Sequence, residues 1–321
     1  MENIEIYNED CITGSSRIAD SSVDLIVTDP PFGISESKFD KHYKRDSSNV
    51  ISGYKEAPSN YKEWTLQWMS QAYRILKPNG SMFVIIGTTN LLHVLNAGDQ
   101  LGLTLINHLI WKYNFGVNTT KKFVTSHYHI IYFAKNRNKR TFNTYCRFSR
   151  KDRTEDNKSS LYKDLEDVFI INKEFCAGQI KNQNKLPEEL IQKLIQYASN
   201  ENDIVVDFFL GNFTTAYMSL RLGRKIKGFE LNKKSYDFHI HKVKDIEFGK
   251  DLKTLRIPDP GIPRNAGKSI SKTEKKNIRK EYKNLIASGL KIKDAYLHLQ
   301  EKFGRGKFSI INILREDNDK N

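Results

Sequence analysis

The stretch VDLIVTDPPFGI, residues 23–34, decides how this chain is read. Val23, Leu25, Ile26 and Val27 are aliphatic or β-branched and predict a buried strand. Two successive prolines cannot continue it, because neither offers an N–H to a ladder. The strand therefore stops at Thr28, and Asp29-Pro30-Pro31-Phe32 stands at its carboxyl end. In open α/β sheets that end is where ligands bind. Taken alone, the tetrapeptide equally fits a rigid turn with a capping Asp, so the rest of the chain has to decide between the two.

Outward from this stretch, strands and helices alternate. Residues 4–11, IEIYNEDC, predict a short strand ending in acids. Residues 33–61 are polar and without period, and predict a long loop beside the D-P-P-F turn. Trp64, Trp68, Met69, Ala72 and Leu76 recur at helical spacing over 61–76, ahead of a helix-ending turn KPNG. SMFVIIG is a buried strand, 91–101 a helix, and 103–111 and 127–134 two further strands. Residues 135–163 break the pattern with ten basic residues against three acids, and with Phe142, Tyr145, Phe148 and Tyr162 interleaved. Such a segment suits phosphate tracking and base stacking, and equally a solvated insert. Regular structure resumes with a helix over 187–198, opened by Pro187.

Composition narrows the function classes. The net charge of +14 points to a polyanionic partner, with nucleic acid first, unless Lys and Asn are raised throughout by base composition. No run approaches the ~20 apolar residues of a membrane span, and MENIEIYNEDC has no apolar signal core. Cys11, Cys146 and Cys176 lie far apart, which predicts a reducing cytosol, no disulfide framework and no structural metal.

A second stretch, DIVVDFFLGNFTTA at 203–216, pairs with the first. A strand ends in Asp207, Gly211 lies in the turn, and Thr214 and Thr215 open a helix whose free N–H groups face a ligand. The next strand, KIKGFELN, ends at Glu230, about 20 residues on, where an acid binds ribose hydroxyls in nucleoside-cofactor sites. Only one glycine is present, which disfavours a dinucleotide.

Together NEDCI, SSVDLIVTDPPFGI, RILKPNGSMFVI, KLPEELIQKLI, DIVVDFFLGNFTTA and LGRKIKGFELN resemble the β-group of S-adenosylmethionine-dependent DNA amino-methyltransferases, over about residues 4–237. In that group the D/S-P-P-Y motif precedes the glycine motif, with the target-recognition region between. Phe32 stands where the family usually has Tyr, keeping the ring and losing the hydroxyl. Gly211-Asn212-Phe213 replaces a G-S-G motif, and Asn182 to Pro187 replaces H-P-x-Q-K-P.

The resemblance implies an α/β, Rossmann-like methyltransferase sheet with helices on both faces over residues 1–255, carrying a target-recognition insert at about 135–184. Residues 256–269 read as a linker, and 270–321 as a basic module of two or three short helices over 272–288, 292–303 and 308–314, either helix-turn-helix-like or packed on the main domain. It implies Asp29, Pro30, Pro31 and Phe32 as the catalytic turn. Asp29 and the Pro30 carbonyl accept the two amine hydrogens of an extruded base, on which Phe32 stacks. Asp10, Cys11, Asp29, Lys185, Pro187, Asp207, Phe209, Leu210, Gly211, Asn212, Thr214, Glu230 and Asn232 are the implied S-adenosylmethionine residues. Lys121, Lys122, Arg137, Lys139, Arg140, Arg147, Arg150 and Lys151 are the implied DNA contacts. D-P-P favours adenine N6 over cytosine N4. A catalytically inactive nucleic-acid-binding relative and a methyltransferase for RNA or a small molecule stay as alternatives. The implied setting is cytoplasmic, at the nucleoid, with double-stranded DNA as partner and no membrane. It is compatible with a homodimer and with a separate restriction endonuclease acting on the same site.

Overall fold

A computed structural model of the chain describes residues 2–33, 57–114, 116, 120–147, 164–174, 185–252, 265 and 269–318. In chain order these form β1 (Ile4–Tyr7), α1 (Cys11–Gly14), β2 (Val23–Thr28), α2 (Tyr61–Ile75), β3 (Leu76–Ile86), α3 (Leu91–Gln100), β4 (Thr104–Lys112), β5 (His127–Ala134) and β6 (Val168–Ile170). There follow α4 (Glu188–Ala198), β7 (Ile204–Asp207), α5 (Thr214–Arg221), β8 (Lys225–Phe229), α6 (Lys233–Lys244), α7 (Lys272–Ala287), α8 (Ile292–Phe303) and α9 (Lys307–Asn318).

The sheet is buried on both faces. Along β2, Leu25 and Val27 join the apolar layer on one face, and Val23 and Ile26 the layer on the other. The first face is covered by α4, α5 and α6 through Leu190, Ile191, Leu194, Ala216, Leu220, Ile240 and Val243. The second is covered by α1, α2 and α3 through Cys11, Trp64, Trp68, Met69, Ala72, Val94 and Ala97. The eight strands run β1-β8-β7-β2-β3-β5-β4-β6. The block from β1 to β3 is parallel, β5 is antiparallel to both β3 and β4, and β6 lies parallel to β4. The predicted α/β sheet with helices on both faces is therefore present.

Three local features differ from the sequence expectation. KPNG does not simply end α2, since β3 already starts at Leu76. Val23 pairs with Leu76 and Leu25 with Ser81, so residues 77–80 bulge out opposite Asp24 alone. Pro78 is tolerated at such an irregularity, and Lys77 uses it to reach Asp24 at 2.6 Å. β6 is three residues long, too short for periodicity to announce it. The final helix reaches Asn318, four residues beyond its expected end at 314. Most of the expected loop 33–61, much of the basic insert, nearly all of the linker and Cys176 lie outside the described residues.

The described C-terminal helices form a compact unit of their own. Ile278, Leu299, Ile310 and Ile313 are its buried centre, flanked by Tyr282, Leu285, Tyr296 and Phe303. Among the described residues no helix is long and apolar enough to cross a membrane.

Candidate active site

β2 and β7 pair in parallel through Leu25↔Val205 and Ile26↔Val206, which sets their carboxyl ends side by side. Thr28 Oγ1 donates to Asp207 Oδ1 at 2.8 Å and accepts from the Phe208 N–H at 3.2 Å. The Phe209 N–H donates to the same Asp207 oxygen at 3.0 Å. Burial pushes the Asp207 carboxyl up to about 6, against the hydrogen bonds that pull it down. Asp29 follows directly on Thr28. Burial first, and then the neighbouring Asp207 charge, push its carboxyl well above the usual carboxylate range.

The D-P-P-F turn is held by its backbone. Tyr61 Oη donates to the Pro31 carbonyl at 2.8 Å, and Asn90 Nδ2 to the Phe32 carbonyl at 2.7 Å. Tyr61 is the first residue of α2 and Asn90 directly precedes α3, so both helices reach the turn with their amino ends. The Phe32 ring centre lies 5.1 Å from that of Tyr128. A Cβ on Gly87 would lie 3.3 Å from the Phe32 ring, so that glycine leaves room for it. Beside the turn, Gly33, Pro58, Tyr61, Asn90 and His93 border a cavity of about 480 Å³.

The second half of the site is the β7–α5 turn. Gly211 has φ +50° and open space where a Cβ would stand, with only the Phe209 carbonyl at 3.8 Å. Phe213 takes the left-handed conformation at the start of α5 with φ 60°, and its fully buried ring stacks on His239. Glu230 accepts the Gly211 N–H at 2.7 Å on one oxygen and the Asn232 N–H at 2.6 Å on the other. Burial pushes its carboxyl up to about 7. Thr214 Oγ1 is buried without a hydrogen-bond partner among the described residues. Phe209 rests on Trp64 and Trp68, each with ring centres 5.5 Å away.

Asp29, Asp207 and Glu230 thus form a group of enclosed carboxyls, each pushed up by burial, with Asp29 and Glu230 also sensing the Asp207 charge. A ligand that is cationic and carries hydroxyls fits such a donor set: the cation relieves the mutual repulsion, and each Glu230 oxygen keeps a lone pair.

The remaining sequence candidates fall into distinct places. Asp10 caps α1, accepting from Ile12 N at 2.9 Å and Thr13 N at 3.3 Å. Cys11 is buried, its thiol pushed up by burial and by the charges of Asp10 and Asp207. Leu210 is buried and Asn212 half-buried beside Gly211. Asn232 caps α6 through Ser235 N at 3.0 Å. Lys185 pairs with Glu174 at 3.0 Å and Glu188 at 3.4 Å, and Pro187 caps α4.

Of the expected DNA contacts, Lys121, Lys122, Arg137 and Lys139 are exposed. Arg140 is turned inward, donating to Tyr132 Oη at 3.1 Å. Arg147 bridges Asp164 at 3.4 Å and Glu189 at 3.8 Å, and its side chain is 18% exposed, so its charge is already matched within the protein. Phe142 stacks on Tyr197 at 5.4 Å. Arg150 and Lys151 lie outside the described residues.

Sequence reasoning missed Tyr61 and Asn90, whose only signal is that each stands at a helix start. It also missed a relay in which His129 shares hydrogen bonds with Thr88 at 3.1 Å and His108 at 2.8 Å.

Comparison with known proteins follows the same outline. Type II methyltransferase M.HpaI of Haemophilus parainfluenzae is 28% identical over 231 residues, 69% of this chain and 68% of its own length. The solved structure of the PvuII DNA methyltransferase, described as cytosine-N4-specific, matches with a TM-score of 0.55 at 17% identity, covering 80% of this chain and 95% of that one. The M1.HpyAVI–SAM complex matches with a TM-score of 0.51 at 20% identity, covering 76% of this chain and all of that one. Both structural likenesses are of fold. The N6/N4 family described as DNA methylase matches residues 23–241, more than half of the sequence and both halves of the site, and the chain belongs to that family.

Proposed function

We propose that this chain is a site-specific DNA adenine-N6 methyltransferase, the modification enzyme of a restriction-modification system, with S-adenosylmethionine as methyl donor. The observation that carries the reading is the fixed D-P-P-F turn, clamped by Tyr61 and Asn90, next to the carboxyl-lined cup of Asp207, Gly211 and Glu230. S-adenosylmethionine matches that cup in kind: it is a cation, it has a ribose diol for Glu230, and it has a carboxylate for the unpartnered Thr214 hydroxyl at the start of α5. When bound it supplies a methyl group on a sulfonium, so no metal is required.

An exocyclic amine is a poor nucleophile because its lone pair is delocalised into the ring. Asp29 accepts one of its hydrogens and the Pro30 carbonyl the other, and both acceptors pull the nitrogen toward tetrahedral geometry. The two prolines and the clamps on Pro31 and Phe32 keep those acceptors aimed without reorganisation. Phe32 stacks on the extruded base. The proton that the amine later gives up passes to water or to Asp29.

An Asp rather than a Ser before the two prolines favours adenine. A cytosine-N4 enzyme is the second reading, favoured by the fold likeness to the PvuII methyltransferase. Nucleoside mass spectrometry of DNA from a methylation-deficient host expressing the chain, beside Asp29→Ala, tests both. N6-methyladenine that disappears in the control is expected. N4-methylcytosine would reverse the base, and neither product from soluble protein would overturn the reading.

A further inference from the structure

Helices α8 and α9 are joined by three residues, Gly304, Arg305 and Gly306. Gly304 ends α8 in the left-handed conformation at φ 59°. Arg305 is 5% exposed. Its guanidinium forks onto both oxygens of Glu274, at 2.9 Å each, and reaches the carbonyls of Asn265 at 2.7 Å and Ser269 at 3.1 Å. The turn is thereby fixed to the first turn of α7, which packs on both α8 and α9. A pair of helices joined by a short glycine-containing turn and braced by a third is the arrangement that carries a helix into the DNA major groove.

The last helix is sided. Ile310 and Ile313 enter the core, and Glu316 turns to Lys275 at 2.9 Å and Arg279 at 3.3 Å on α7. On the outer side Phe308 is 80% exposed. Asn312 and Arg315, four and seven residues on, are exposed along the same stripe. Asn reads adenine, Arg reads guanine, and an aromatic ring meets the thymine methyl. Around this stripe, residues 269–318 hold twelve Lys and Arg against six Asp and Glu. Lys272, Lys276 and Lys280 are exposed on successive turns of α7, and Lys291 and Lys293 flank the start of α8.

We propose that the C-terminal unit is a second duplex-DNA-binding element, separate from the methyl-transfer site. In it α9 lies in the major groove through Phe308, Asn312 and Arg315, and the α7 lysines meet phosphates. Ile292 and Leu297 are also exposed on α8, at 57% and 55%. The cationic excess and the polar two-thirds of the α9 stripe favour DNA over a protein surface.

The test uses the full chain and fluorescence anisotropy on duplexes of random sequence and on those the parent selects from a random pool. Phe308→Ala/Asn312→Ala/Arg315→Ala is expected to weaken binding to selected duplexes at least about tenfold, while S-adenosylmethionine binding persists. Lys272→Gln/Lys276→Gln/Lys280→Gln is expected to weaken all duplexes alike and to lower the salt slope by about two to three. Affinity within about twofold of the parent in the first variant overturns the proposal. Should that variant lose its helical signal, the exposed lysine variant decides, and an unchanged salt slope overturns the proposal. A shift in oligomeric state without a loss of DNA affinity assigns the face to a second copy and also overturns it. A parent that binds DNA through this unit yet methylates none counts against the function proposed above, not against this one.

Discussion

Asp207→Asn tests the electrostatics of the site directly. The folded chain raises the Asp207 carboxyl from 3.8 to about 6, so between those values it binds a proton that the unfolded chain has released. The cost to folding is therefore absent below about pH 3.8 and grows as pH rises, reaching its full size above about pH 6. Integrated over that shift, the carboxylate costs about 3 kcal/mol at pH 7, about 1.5 kcal/mol at pH 5 and almost nothing at pH 3. Asn keeps an acceptor for Thr28 Oγ1 and Phe209 N and carries no charge to bury. The variant is thus expected to be more stable than the parent at pH 7, by an amount that halves at pH 5, and to bind S-adenosylmethionine more weakly. Urea unfolding of parent and variant at the three pH values reads this as a double difference, in which the buried histidines cancel. A variant no more stable than the parent at neutral pH, or a difference that does not move with pH, would refute a strained carboxylate at the end of β7.

Other outcomes follow from the same contacts. Tyr61→Phe leaves the Pro31 carbonyl without its donor, at a cost of about 1–3 kcal/mol. It should lower kcat more than it weakens cofactor binding, which stopped-flow and equilibrium binding separate. Arg305→Ala removes the donors to Glu274 and to the Asn265 and Ser269 carbonyls and should destabilise the C-terminal unit by about 1–3 kcal/mol. Differential scanning calorimetry should then show an earlier transition while the main one stays in place. Burial holds His129 neutral, its pKa lowered to about 4, with the nearby His108 and His127 acting the same way. It therefore contributes stability above its unfolded value of 6.5 that is lost as pH falls toward 4. His129→Gln should flatten that acid limb in a pH series of thermal melts.

Much of the architecture was legible because it rests on short-range patterns. Val23 to Thr28 followed by two prolines could only be a strand that stops, and Trp64, Trp68, Met69 and Ala72 could only be one buried helix face. Asp207, Gly211 and Glu230 were legible because each ends a strand or opens a turn. The clamp from Tyr61 and Asn90 was not, since it is a contact across 30 and 58 residues that no local period encodes. Arg147 misled for a related reason: a basic residue in a basic segment reads as a phosphate contact until Asp164 and Glu189 are seen beside it. The antiparallel turn of β5 is likewise a property of pairing, invisible in the apolar run His127–Ala134.

The order of strands also sets a schedule for synthesis. β2 carries the D-P-P-F turn, but its neighbour β7 lies 179 residues further along, as measured from Thr28 to Asp207. β1 pairs with β8 across an even longer stretch of chain, Ile4 with Ile226. At roughly 5–20 residues per second on the ribosome, β2 waits on the order of 10–40 s for the strand that completes its edge. Until then an apolar strand end and an unpaired ladder are open to other nascent chains. The topology that brings Asp29 and Asp207 together at the centre of the sheet therefore makes that same centre among the last parts to close, and leaves it open to misassembly during translation.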